Sequence, residues 1–285
     1  MSGVAGPWIA LCLASAGASP DGGGVTRPES LAGRSSDVER LSSAQAQLRR
    51  ATVERLKLRS APPEQLALLR LHAVACLRAV RLYFPESRAC VAEASFRAGE
   101  ILRADGDIEG ARAEFEYVRG LGAGVPYRAR AGIELGHIER RARRWSHALD
   151  HYLSVAAELD TPSRWRDDAS IWAGKVHVLR GTFDEGRRLL KHIAASSSDP
   201  LERVRAYDEW ALSYLPSDDP EASAGVLATC RSELARFAVE ETELGARVRD
   251  ALARMRCIRA LVRAIARRNG GDVSALDDDE HVDDD

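Results

Sequence analysis

Ala94-Ser95-Phe96-Arg97-Ala98-Gly99-Glu100-Ile101-Leu102, a turn at Gly106-Asp107, then Ala111-Arg112-Ala113-Glu114-Phe115: this phrase is written twice more before residue 196. The second copy sets Leu135-Gly136 against Ala148 and Tyr152, and the third sets Ala173-Gly174 against Gly186 and Leu190. Gly99, Gly136 and Gly174 stand 37 and 38 residues apart, and Ala111, Ala148 and Gly186 keep that period. Self-similarity at such a spacing marks stacked helical pairs, each burying its apolar face against its neighbours. A glycine inside a helix costs about 1 kcal/mol relative to alanine. Three in register therefore predict helix crossings closer than the usual spacing of about 8–10 Å. The small residue of each second helix is expected at the same contact.

Composition agrees with helices. Of 285 residues 29% are charged and 45% hydrophobic, as in a folded chain, and the 6% of aromatics offers little strand-like alternation. The net charge of -2 hides a polarity, because residues 272–285 carry eight acids and no Lys or Arg. Residues 1–271 are left with 35 acids against 41 bases, a mildly basic body. Residues 269–285 read as a disordered acidic tail, either a solubilising segment or a tether for a basic surface.

Residues 1–20 carry no charged side chain, and Trp8-Ile9-Ala10-Leu11-Cys12-Leu13 forms a short apolar run followed by small residues. We read 1–18 as a signal peptide and expect export to the periplasm or cell envelope. The alternatives are an unstructured leader on a cytoplasmic protein and a lipid anchor at Cys12, where Leu11 stands in the place of a small residue. The run is too short for a transmembrane helix. Residues 19–36, rich in Gly, Pro and Ser, read as a flexible linker.

Residues 37–268 read as one helical domain. Asp37 is taken as the cap of a helix running to about Arg59 on an apolar stripe of Val38, Leu41, Ala44, Leu48, Ala51, Val53 and Leu56. Pro62-Pro63 starts a second helix that ends near Phe84-Pro85. The clearest repeats follow at 91–124, 129–161 and 167–199. Beyond them Asp199-Pro200 and Glu221-Ala222 open two more helices, and a single amphipathic helix from about Glu241 to Arg268 is expected to cap the stack.

A small residue and glycine in the first helix, a Gly-Asp or Gly-x-Phe-Asp-Glu turn, and alanine followed four residues later by Phe or Tyr resemble tetratricopeptide (TPR) repeats over roughly residues 88–200. Ser95, Gly132 and Ser170 depart from the family's usual helix-A aromatic. The resemblance implies an all-α fold, a right-handed superhelix of stacked antiparallel helix pairs. It also implies a concave groove lined by the first helices, where a protein or peptide partner binds. Matching positions are Glu93, Phe96, Arg97 and Glu100, then Arg130, Ile133, Glu134, His137 and Arg141, then Asp168, Ile171, Trp172 and Lys175. The family's clamp for a peptide C-terminus needs Lys, Asn and Arg where this chain has Phe96, Glu100, Glu134, Asp168 and Trp172. That argues for a mixed-charge segment with an apolar anchor meeting Phe96 or Trp172.

Nothing in the chain reads as an active site or a cofactor site. There is no phosphate-cradling glycine loop and no nucleophile elbow. Cys76, Cys90, Cys230 and Cys257 lack zinc-type spacing and read as small core residues, with a Cys230–Cys257 bridge as an alternative in an exported protein. His147 and His151 share a helix face but have no third ligand, and we read them as solvent-facing. Arg140-Arg141-Ala142-Arg143-Arg144 sits at a helix end without interleaved aromatics, which argues against nucleic acid. The function read from the sequence is a non-catalytic protein-binding scaffold. A structural lipoprotein of outer-membrane assembly and a metal-dependent enzyme accessory are the competing readings.

Overall fold

Ser43 opens the first helix, its hydroxyl accepting from the Ala46 amide at 3.2 Å. The computed structural model describes residues 35–270, which form twelve α-helices. Residues 1–34, where a signal peptide, Cys12 and nearly all of a linker were expected, lie outside the described residues, as do residues 271–285 of the expected tail. No helix among the described residues is long and apolar enough to cross a membrane.

Helix α1 spans Ala44–Lys57, so it starts later than the cap expected at Asp37, which lies in a 3-10 turn. The reason is Gln47. Its buried amide accepts from the Leu41 N–H (2.9 Å) and donates to the Glu39 carbonyl (3.3 Å), holding the approach to the helix extended. The inward side of α1 is Ala44, Gln47 and Ala51, while Val53 and Leu56 of the expected stripe are exposed. Helix α2 (Pro63–Tyr83) starts at the proline, as expected.

Three pairs follow: α3 (Arg88–Ala104) with α4 (Ile108–Gly120), α5 (Arg128–Arg141) with α6 (Trp145–Ala156), and α7 (Ser163–Leu179) with α8 (Phe183–Ser196). Their tight turns place Gly106, Arg143 and Gly181 at φ 81°, 56° and 84°. Arginine thus occupies in the middle copy a left-handed position that glycine takes without a Cβ clash.

The glycine register is a packing device, and the nearest neighbour of each glycine is the large side chain set against it. A Cβ on Gly99 would stand 2.6 Å from the Phe115 ring, and one on Gly174 would stand 2.7 Å from Cγ of Leu190. A Cβ on Gly136 would overlap the Tyr152 ring. Each glycine therefore receives the large residue four positions beyond the small one. In the third pair small also faces small: a Cβ on Gly186 would meet the Gly174 carbonyl at 2.8 Å. Phe115, Tyr152 and Leu190 are wholly buried as a result, each burial worth about 1.5–3 kcal/mol.

Helices α9 (Pro200–Leu212) and α10 (Pro220–Ala238) form the last pair. The expected final helix is broken into α11 (Glu243–Ala253) and α12 (Arg256–Arg268), with Met255 extended and buried between them. Asp208 of α9 makes the break. It accepts from the Cys257 amide at 2.8 Å and from Arg256 Nε at 3.3 Å, which turns α12 back onto α9 and α10. Met255, Cys257 and Leu261 then join Val204, Tyr207 and Leu234 in the closing core. Cys230 and Cys257 sit there as free thiols, and burial raises the pKa of both, that of Cys230 to about 12.

Every helix from α1 to α10 packs on the next, and first helices also touch across pairs, α1 with α3, α5 with α7 and α7 with α9. The stack is an all-α solenoid. Charges tie successive pairs. Buried Glu114 receives Arg78 at 2.6 Å and Arg81 at 3.4 Å from α2, and buried Glu139 receives Arg112 and Arg144. Burial works against ionisation of Glu139, yet the two arginines hold its carboxyl below the usual range.

Candidate functional site: the face of the first helices

On α5 the spacing of Arg130, Glu134, His137 and Arg141 puts them on one side of the helix. The same phase collects Glu93, Arg97 and Glu100 on α3, and Trp165, Asp168, Trp172 and Lys175 on α7. Stacking brings these rows together as paired charges. Glu100 holds Arg97 at 2.7 Å and Arg130 at 3.5 Å. Glu134 faces Arg103 at 3.4 Å, Asp168 faces Arg205 at 2.7 Å, and Lys175 reaches Glu209 at 2.9 Å. Both signs alternate along the strip, and most of these groups are partly exposed.

Burial raises the Glu134 pKa, with Arg103 opposing it and Glu100 adding to it. Burial, followed by Arg140, Arg141, Arg103 and Lys175, lowers that of His137 to about 3. His137 is therefore neutral at ordinary pH. Its Nδ1 lies 2.7 Å from the Tyr152 hydroxyl, whose own pKa is pushed up by burial. The phenol keeps its proton, and the neutral imidazole and the hydroxyl share one hydrogen bond.

Two aromatic groups punctuate the strip. The first is Phe96, Tyr127 and Trp165 around Arg130, whose guanidinium lies 4.5, 5.3 and 5.4 Å from the three ring centroids. The second is His137, Tyr152 and Trp172, with Lys175 4.0 Å and Arg140 4.9 Å from the Trp172 ring. Such contacts are worth about 0.5–2 kcal/mol each, more when dry.

Three groove residues need correction. Phe96 is fully buried, covered by Tyr127 at 5.0 Å and by Arg130, so it cannot serve as a surface anchor. Ile133 and Ile171 are likewise core. Trp172 stays partly exposed, and Arg141 is exposed at the end of α5. The basic run 140–144 is dispersed, with Arg140 on Trp172 and Arg144 on Glu139. His147 is exposed and His151 half-buried, its pKa lowered chiefly by burial. Among the described residues no group of three His, Cys, Asp or Glu is placed to hold a metal ion.

Five members of the face were missed in the sequence: Arg103, Tyr127, Trp165, Arg205 and Glu209. Trp165 had a signal, standing seven residues before Trp172 and so on the same helix face. Tyr127 had none, because it precedes α5 in a loop and is placed by its own backbone at φ 65°.

No family model matches the chain, and no curated protein matches it. Solved structures do. A crystal structure of nearly identical TPR-like repeats from a Podosopora anserina protein designated a kinesin light chain superposes with a TM-score of 0.51 at 15% identity. It covers 70% of this chain and all of that one. A single-residue variant of that protein gives a TM-score of 0.52 at the same identity and coverage. At that identity the likeness establishes the fold, which is TPR-like.

Proposed function

We propose, from this TPR-like fold, that the protein is a non-catalytic scaffold that binds a segment of another protein along the face of α3, α5, α7 and α9. One observation carries the reading: successive first helices bring a strip of partly exposed charges of alternating sign to one side, with Trp172 among them. A strip whose charges already satisfy one another selects a mixed-charge segment that exchanges partners with them, anchored by an apolar side chain on Trp172. We place the protein in the bacterial cell envelope on the composition of residues 1–18, and mature-protein mass analysis showing a start after residue 16 or 18 supports it. An intact Met1 favours a cytoplasmic adaptor, and a lipidated Cys12 favours a structural lipoprotein.

Charge reversal at Arg97 and Arg130 is a poor probe, because both hold Glu100 and cover buried rings. Photo-crosslinking is cleaner. A photoreactive residue replacing Arg141 or Glu93 on the inner strip should trap the partner, and one replacing exposed Glu116 on α4 should not. Equal yields at the three positions would remove the inner-face reading.

A further inference from the structure

A cavity of about 430 Å³ opens where the α4–α5 loop meets the α6–α7 loop, at the N-terminal ends of α5 and α7. Its size lies within the range of about 300–1,000 Å³ typical of small-ligand sites. The walls are of two kinds. Val125, Pro126, Pro162 and the rings of Tyr127 and Trp165 make it apolar, and Arg128, Arg130 and Arg164 enter it.

Charge is unbalanced around this cavity. Arg119 and Arg128 share the single carboxylate of Glu158, and Arg97 and Arg130 share that of Glu100. Arg164 is exposed and lies 4.6 Å above the Trp165 ring, and the acid in the lining, Asp160, accepts from the Gly124 amide at 3.0 Å. In the lining itself three guanidinium groups, those of Arg128, Arg130 and Arg164, stand against the one carboxylate of Asp160. Neither α5 nor α7 has a side chain capping its first turn, so their positive dipole ends add to the same sign. Tyr127 is held at φ 65°, a costly conformation for a bulky residue, with its ring at the cavity wall.

We propose that this cavity is a binding site for an organic anion that carries its carboxylate or phosphate on a flat apolar ring. The ring lies against Trp165 and Tyr127, and the anion meets Arg164 and Arg130. The site is independent of which segment occupies the rest of the inner face.

Calorimetric titration of the full chain tests it with phenyl phosphate, inorganic phosphate and a blocked Phe-Asp dipeptide. Phenyl phosphate should bind saturably and at least about tenfold more tightly than inorganic phosphate. Arg164→Ala, at an exposed position, should weaken it about tenfold with the far-UV spectrum unchanged, and Trp165→Leu should do likewise. Tighter binding of the dipeptide would assign the anion to a partner's acidic and aromatic side chains, and tighter phenyl phosphate would assign a free small molecule. Absence of saturable binding by both ring-bearing probes, or affinity unchanged in Arg164→Ala, overturns the proposal.

Discussion

The Tyr152 ring rests on the bare Cα of Gly136, so closely that a β-carbon there would overlap its Cε1 and Cδ1 atoms. The ring is wholly buried, and its hydroxyl is engaged by His137. This contact joins the buried seam of α5 and α6 to the partly exposed strip.

Gly136→Ala should therefore destabilise the fold. Overpacking of about 1–3 kcal/mol competes with a helix-propensity gain of about 1 kcal/mol, leaving a net loss of about 1 kcal/mol. Gly225, in α10, has open space around its Cα, so Gly225→Ala should gain up to about 1 kcal/mol. Urea midpoints of the two variants should move in opposite directions. A stabilised Gly136→Ala would show that the seam yields.

Arg143 is exposed and sits at φ 56°, where the other two copies have glycine. Arg143→Gly should raise stability by about 1 kcal/mol by relieving that strain. Thermal unfolding would register this as a shift of about 2–4 °C. No rise would mean that the Arg143 side chain contributes as much as its backbone costs.

Acid should loosen the middle of the array through His137. Its pKa in the fold is about 3 and ordinarily 6.5, so the unfolded chain binds the proton first. The stability tied to keeping it neutral is complete above about pH 6.5 and drains away as pH falls towards 3. At about pH 5 the loss is roughly 2 kcal/mol. His137→Leu should be less stable near neutrality yet lose less on acidification by that amount, read from urea midpoints across the range. Parallel curves would trace acid sensitivity to other groups.

Asp208 is predicted to be the latch of the closing helix. Asp208→Ala removes the acceptor for the Cys257 amide and for Arg256. Amides of α12 should then exchange much faster, while those of α3 to α6 keep their protection, since each unit in a linear stack depends on its neighbours. Loss of protection across all helices would instead describe a single cooperative unit.

The repeat period, the paired helices and the proline-marked starts of α2 and α9 were legible because each rests on local geometry. Glycine and alanine spacing, prolines at helix starts and Gly-Asp turns act within a few residues of themselves. The split between α11 and α12 was not legible. No proline or glycine marks Arg254-Met255; the break is made by Asp208, some fifty residues away along the chain. Phe96 has the phase of a groove residue and yet is buried, because Tyr127 reaches over it from a loop whose path no periodicity describes.

By itself, then, the sequence determined a stack of helical pairs and the side of each first helix that faces its neighbours. Only the tertiary structure decided which of those side chains remain open. Its cross-links, such as Arg78 to Glu114 and Asp168 to Arg205, span 36 and 37 residues, one repeat of the stack. A 3.6-residue period sets the direction in which a side chain leaves its helix. What it meets depends on the next pair, and that is settled only when the pairs are stacked.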